Sequence, residues 1–390
     1  MTAEHATNGA TEIVSEPILV EEEFETVDMN INIGPQHPAT HGVFRMVLTV
    51  DGELVRDVES YIGYLHRGTE KLSENLDFRG GLGFQDRTDY LAAMNCEWAY
   101  VNTVEKLAGI EVPERVEYLR LILAEMNRIL SHFMFMGAFG TDVGFFGTAF
   151  TWAFKERERI QDLFESITGD RMMYNYYRVG GMAWDPPETF VEDTRWVLGQ
   201  LETGIADVED LMKDNEIMIA RCRDVGTLSA EDAISFGVTG PMLRASGVPF
   251  DLRVDEPYSI YDRFEWEIPV GEHGDAYDRM LVRLEEMKQS WSIVSQALDQ
   301  FPTSGLIMAE NLPRAIRPEP AEIYWRQENP RGEYGIYMVS NGTDHPWRMK
   351  VRSPCFHNLS SLRHQAVGQY LADAVVALGS VDIVLGEVDR

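Results

Sequence analysis

The stretch GPQHPATHG, Gly34 to Gly42, places His37 and His41 four residues apart. On a helix that spacing would turn two imidazoles to one face, as some metal sites require. The prolines argue otherwise. Pro38 drives His37 toward extended backbone and Pro35 blocks a helix upstream, so the histidines are expected on a loop between strands and not as a ligand pair. Two further polar residues sit in apolar or glycine-rich surroundings: Tyr90 in FQDRTDYLAAM and Asp142 in GAFGTDVGFFG. A histidine, a carboxylate and a phenol converging in an apolar cavity can hydrogen-bond, or give protons to, a ligand carrying carbonyl oxygens. The alternative is that each is an ordinary core polar group with its bonds satisfied internally, and spacing alone leaves both readings open. His132, on the apolar face of a helical pattern, reads as a satisfied core residue, and no pair among the nine histidines is credibly spaced for a metal.

The elements that must position these residues follow from periodicity. Val27, Met29, Ile31 and Ile33 alternate with Asp28, Asn30 and Asn32, and Phe44, Met46, Leu48 and Val50 alternate again before an Asp51-Gly52 turn, which predicts a small antiparallel meander. From Tyr64 onward helix dominates. One amphipathic helix is expected from Pro113 through Phe133, a second from near Pro187 to Met218, and a third from Asp275 to Phe301. Asp224 to Gly271 reads as irregular, Gly332 to Gly342 as a strand and turn, and Ser361 to Leu378 as a final helix. Ile129 to Phe154 is long enough for a membrane span, with His132 and Asp142 its only ionisable groups. Its four glycines, three threonines and central aspartate suit backbone lining a cavity inside a protein better than lipid-facing helix.

The chain has 390 residues, 44% of them apolar, enough for a substantial core. Its net charge of −30 argues against nucleic-acid binding, which needs a clustered basic surface, and none is visible in the sequence. Part of that charge lies in the first 28 residues, which hold eight acids while the first Lys or Arg is Arg45, and a solvated or partner-bound acidic tail is expected there. Cys96, Cys222 and Cys355 are scattered, so neither a disulfide framework nor a Cys-x-x-Cys site can be drawn, and a reducing compartment is favoured. The N-terminus lacks the basic and apolar regions of a secretory signal. RGGLGF, Arg79 to Phe84, lacks the strand-turn-helix context of a nucleotide-binding fingerprint.

Six blocks in order, GPQHPATHGVFRMVLTVDGE, IGYLHRGTEKL, PMLRASGVPFDLR, PYSIYD, GDAYDRMLVRLEEMKQS and KVRSPCFHNLSSL, closely resemble the quinone-reductase core subunit (D) of respiratory complex I, the 49-kDa subunit family. The resemblance spans about Val27 to Arg390. That family is similar in turn to the large subunit of nickel–iron hydrogenases, whose metal is held by two Cys-x-x-Cys pairs. At the matching positions this chain has Asp89 and Ala92 in RTDYLA, and Val384 and Glu387 in DIVLGEVDR. Without the four thiolates no soft-metal site forms, and the emptied cavity is where the family binds a quinone headgroup.

The resemblance implies that His41 and Tyr90 are the headgroup ligands and that Asp142 is the acidic partner of His41. It places Arg67, in YLHRGTEK, near a tetranuclear iron–sulfur cluster of the neighbouring small subunit, and it implies that this chain itself binds no metal or cofactor. Met173, in RMMYNYYRVGG, stands where many relatives carry a histidine near that cluster. An imidazole that gains a proton on reduction raises a cluster's potential, so its absence points to a low-potential quinone such as menaquinone.

The expected fold is α+β: an acidic tail at 1–26, an antiparallel β region at 27–64, and a helical bundle with C-terminal strands at 65–390, like the hydrogenase large subunit. The implied function is quinone reduction with electrons from NADH, coupled to proton translocation. The implied partners are the iron–sulfur small subunit (B), the core subunit (C) and the quinone-channel membrane subunit (H), on the cytoplasmic side of a bacterial membrane as a peripheral protein. Two rivals are a complex fed by ferredoxin or reduced deazaflavin, with the same site, and a docking subunit without catalysis.

Overall fold

The computed structural model describes residues 27–145 and 147–390; the acidic tail expected at 1–26 lies outside the described residues. The N-terminal alternation folds as predicted. Strands β1 (Met29–Ile33), β2 (Arg45–Asp51) and β3 (Leu54–Tyr61) pair antiparallel in the order β1-β2-β3. The register sets Ile31 opposite Leu48 and Leu48 opposite Val58. Phe44, Met46, Leu48 and Val50 are all fully buried at 0% exposure, the inner face that a period of two dictates. Each such side chain contributes about 1.5–3 kcal/mol. Between β1 and β2 the two-residue strands Gln36–His37 and Gly42–Val43 pair with each other around one 3₁₀ turn, Pro38–Thr40. Gly34, at φ 87, has no substitute: a Cβ there would fall 1.9 Å from the Phe44 carbonyl oxygen.

The bundle comprises α1 (Ala93–Ala108), α2 (Glu114–Val143), α3 (Thr148–Thr168), α4 (Phe190–Met212) and α5 (Ala276–Asp299). Helix α2 packs on α3 and α5, and α4 closes the ring by touching both of those. From Tyr118 to Phe133 every residue of α2 is buried, so it is a core helix on all sides. The stretch that is long enough for a membrane span is in fact two helices: α2 ends at Gly144 (φ 124) and α3 begins after Gly147 (φ 82). Among the described residues no helix is long and apolar enough to cross a membrane. Strands β4 (Ala321–Asn329), β5 (Gly332–Ser340) and β6 (Arg348–Arg352) form a second antiparallel sheet in the order β6-β5-β4, against which α1 packs. The chain closes with α6 (Leu371–Val381) and α7 (Leu385–Asp389).

Several boundaries differ from the periodicity. Pro113 is the extended residue before α2 and not its first helical residue. The helix expected through Met218 stops at Met212, and a separate helix, Glu216–Cys222, starts under an Asn215 side chain that accepts the Ile217 N–H at 2.9 Å. The final helix is also divided, into Leu362–Ala366 and α6. The link between them spends its backbone groups on the β2–β3 hairpin: Gly368 N–H donates to Val55 O at 2.8 Å and Val55 N–H to Gln369 O at 2.9 Å. The irregular region Asp224 to Gly271 contains helices Ala230–Ser235, Pro241–Ala245 and Leu252–Asp255, too short to show a period.

Buried apolar contacts divide into two clusters. One joins the bundle to the C-terminal sheet; the other joins the N-terminal sheet to α6 and α7.

Candidate active site

A cavity of 460 Å³ lies where the two clusters meet, with Phe135 on one side and Ile383 and Val384 on the other. His41, Tyr90 and Asp142 all line it. His41 reaches it because it ends the 3₁₀ turn in the left-handed region, φ 50 and ψ 32, with its N–H on the Pro38 carbonyl. His37 stays outside. Its Nδ1 accepts the Ala39 N–H at 3.2 Å and its carbonyl accepts the Thr40 hydroxyl at 2.7 Å, so it braces the turn.

Asp142, in the last turn of α2, meets His41 with 2.5 Å between Oδ2 and Nε2. A carboxylate can only accept, which assigns the proton to Nε2. Burial opposes the imidazolium, but the hydrogen bond and charge of Asp142, helped by Asp382 and opposed by Arg331, outweigh it and raise the His41 pKa above its usual value. The approach of Asp142 depends on a glycine: a Cβ on Gly379 of α6 would lie 2.6 Å from Asp142 Oδ2. Tyr90 comes from the turn preceding α1, and burial first, then the charge of Asp89, pushes its phenol up, which keeps it a donor. A Cβ on Gly42 would lie 3.8 Å from the Tyr90 hydroxyl, which places the phenol beside the histidine turn.

Behind this wall lies a layer that sequence reasoning did not single out as functional. Asp382, left-handed at φ 59, lines the cavity and binds the buried Arg331, whose Nη2 reaches its Oδ1 at 3.1 Å. Arg331 Nη1 donates to Asp89 Oδ2 at 2.9 Å and to Ser131 Oγ at 3.0 Å. The Arg283 guanidinium sits 4.0 Å over the Phe135 ring. The nearest sequence signal for this layer was the C-terminal DIVLGEVDR, where the resemblance pointed to Val384 and Glu387 and gave Asp382 no role. Val384 lines the cavity, while Glu387 is buried, accepts the Cys355 N–H at 3.0 Å, and is pushed up to about 7 by burial and by Asp89. Among the described residues no three His, Cys, Asp or Glu side chains are grouped as metal ligands. His132 is a buried core residue bonded through Nε2 to Glu286 at 2.9 Å.

Arg67 and Met173 do not line the cavity. Arg67 is exposed with its guanidinium 5.2 Å from the Phe84 ring. Met173 is half-buried, at φ 60, two residues before Asn175, whose N–H binds Asp86. Arg67 thus borders the short helix Leu82–Gln85, whose cap residue Asp86 is reached by Asn175 of the segment that carries Met173. A larger cleft of 710 Å³, lined by charges of both signs such as Lys213, Arg223, Glu267 and Glu285, contains none of the predicted residues.

An apolar cavity at the seam of an α+β chain, presenting a carboxylate-backed imidazole and a phenol, goes here with the sequence of a respiratory-chain oxidoreductase subunit. The family described as respiratory-chain NADH dehydrogenase, 49 Kd subunit, matches residues 142–390. The NADH-quinone oxidoreductase subunit (D) of Dehalococcoides mccartyi strain 195 is 49% identical over 366 residues, 94% of this chain and 99% of that protein. The second such subunit (D 2) of Herpetosiphon aurantiacus is 47% identical over 368 residues, 94% of this chain and 100% of that protein, and that of Bacillus anthracis 45% over 364, 93% and 99%. The chain belongs to this 49-kDa (D) family of NADH-quinone oxidoreductase and is a subunit of that multi-subunit enzyme, complex I.

Proposed function

We propose that the 460 Å³ cavity receives a quinone headgroup, with one carbonyl oxygen on His41 and the other on Tyr90. The observation that carries this is the His41–Asp142 contact facing an apolar space that Tyr90 also borders. A quinone becomes a quinol by taking two electrons and two protons. Electrons derived from NADH enter from the iron–sulfur cluster of the adjacent small subunit; Cys96, Cys222 and Cys355 are each buried and free, and offer no thiolate set for one here. His41, whose proton affinity Asp142 raises, supplies one carbonyl oxygen with the proton on Nδ1, since Nε2–H is taken by Asp142. Tyr90 donates to the other, and the apolar walls keep bulk water from bypassing both. Asp142 fixes the imidazole's orientation and charge.

On this reading, Arg67 and Met173 face the small subunit, the quinone is menaquinone, and headgroup reduction drives proton translocation in membrane subunits to which this chain docks peripherally from the cytoplasmic side. The core subunit (C) and the membrane subunit (H) are the further neighbours the family implies. Asp89, Ala92, Val384 and Glu387 mark the emptied thiolate positions of a hydrogenase-like ancestor, and the electrostatic coupling of Asp89 to Glu387 supports their convergence. Extraction of the quinone that copurifies with the complex tests the menaquinone assignment, and ubiquinone alone would refute it.

Tyr90→Phe tests the site. It removes a hydroxyl and leaves the ring's packing, so assembly persists while quinone affinity or turnover falls about ten- to a hundredfold, the worth of one hydrogen bond to a buried partner. Wild-type turnover in an assembled variant would reject Tyr90 as a ligand.

A further inference from the structure

Beneath the segment carrying Met173, two buried carboxyl groups meet without a paired cation. Asp86 ends the short helix Leu82–Gln85 and Glu97 lies near the start of α1; both are 0% exposed. They accept from one stretch of backbone. Asp86 Oδ2 takes the Asn175 N–H at 3.1 Å, and Glu97 Oε2 takes the N–H groups of Tyr176 and Tyr177, both at 2.8 Å. That stretch is bent against its residue types, since Met173 (φ 60) and Asn175 (φ 43) are left-handed without being glycine. Their bonds to neighbouring amides bring the two side chains together, and Asp86 Oδ1 and Glu97 Oε1 meet no protein N–H or O–H donor among the described residues. Arg87 and Arg178 act on Asp86 from a distance, and neither forms an ion pair with it among the described residues. The other titratable neighbours are Tyr174, Tyr177 and Cys96, all neutral near pH 7 because burial pushes each one up.

Two carboxyl groups drawn to one backbone stretch in a dry interior resist both carrying charge, and such a pair titrates as a unit. A single proton placed between them supplies the donor that both orphaned oxygens lack. We propose that Asp86 and Glu97 hold one shared proton, and that this proton allows the pair to clamp the Asn175–Tyr177 backbone, so that its loss releases the segment. The clamp stands on this chain's own geometry and needs neither quinone nor cluster.

The sign follows from linkage. Burial first raises both acids, so the clamped state holds a proton that the opened state, with ordinary carboxyl affinities near pH 4, gives up. Clamping is strongest in acid and weakens as pH rises toward the raised values, by up to about tenfold in the opening equilibrium per pH unit. Hydrogen-exchange mass spectrometry on the full chain in its complex reads this directly at the Asn175, Tyr176 and Tyr177 amides. After correction for intrinsic exchange, wild-type protection should fall with rising pH above about 5. Glu97→Gln keeps an acceptor oxygen for the backbone and brings its own N–H for Asp86, so protection should lose its pH dependence; Asp86→Asn should do the same from the other side. Glu97→Ala should expose the segment at every pH. A flat wild-type profile, or a wild-type slope that survives in both amide variants, would overturn the shared proton.

Discussion

His41 keeps a raised proton affinity against the pull of its own burial, and the Asp142 carboxylate at 2.5 Å is the main cause. With the pKa above its ordinary value, the imidazolium is fully present in acid and is lost as pH rises through the raised value, so the alkaline limb of quinone reduction should follow His41. Asp142→Asn keeps the size and a hydrogen-bonding oxygen but removes the charge. The limb should then move to lower pH, turnover at neutral pH should drop by about one to two decades, and acidification should restore part of it. Adding His41→Ala to Asp142→Asn should cost little beyond His41→Ala alone, because the two act as one unit. Additive losses with no recovery in acid would reduce Asp142 to a structural residue. The residues of this wall were legible in proportion to how isolated they are in sequence. His41 stood out by its proline-flanked loop, Asp142 by its charge-free stretch and Tyr90 by its apolar flank. Arg331 and Asp382 sit among other charges, RQENPRGE and VDIVLGEVDR, and only the fold brings them behind the cavity.

The elements that carry these residues were legible where one physical rule acted alone. The alternation of Met46, Leu48 and Val50 gave β2, and Asp275 ahead of an apolar period gave α5, whose first turn it caps by accepting the Asp278 N–H at 2.8 Å. Where tertiary bonds compete with local period the reading failed, as at Val367–Tyr370, whose backbone pairs with the β2–β3 hairpin. Gly379 shows the same competition in a single residue. It lies inside α6, where alanine would ordinarily stabilise a helix by about 1 kcal/mol. Here a Cβ would press within 2.6 Å of Asp142 Oδ2, so Gly379→Ala should push Asp142 off His41. The expected result is a turnover loss with the same acid recovery as Asp142→Asn, while the melting temperature changes little. Normal turnover and an unshifted pH profile would show that α6 yields to the methyl group and that the glycine has no role at the site.

Across the whole molecule, the two apolar clusters are joined over the cavity by charge. Arg331, in the turn between β4 and β5, belongs to the side of the bundle and C-terminal sheet, and it reaches Ser131 on α2, Asp89 ahead of α1 and Asp382 after α6. Its Nε also donates to the Asp382 carbonyl at 2.9 Å. From α5, Arg283 Nη1 donates to the Ser380 carbonyl at 3.1 Å and supports the same turn. A buried ion pair adds little net stability when formed, because desolvation offsets most of the attraction, but removing one partner strands the other. Arg331→Met strands Asp89 and leaves Asp382 only the Arg283 Nε at 3.7 Å, so it should destabilise the chain by about 3–5 kcal/mol at neutral pH. Burial already raises the Asp89 pKa and Arg331 is the first influence lowering it; without the arginine that carboxyl should take up a proton more readily. A raised carboxyl favours the folded state in acid and loses that contribution as pH rises, so the deficit should be smaller near pH 5 than near pH 8. Asp89→Asn in the Arg331→Met background should recover part of the loss, since it removes one stranded charge. Urea denaturation of the assembled variants at the two pH values measures all three effects. A single variant as stable as wild type at the higher pH would mean that the seam is held by apolar packing alone.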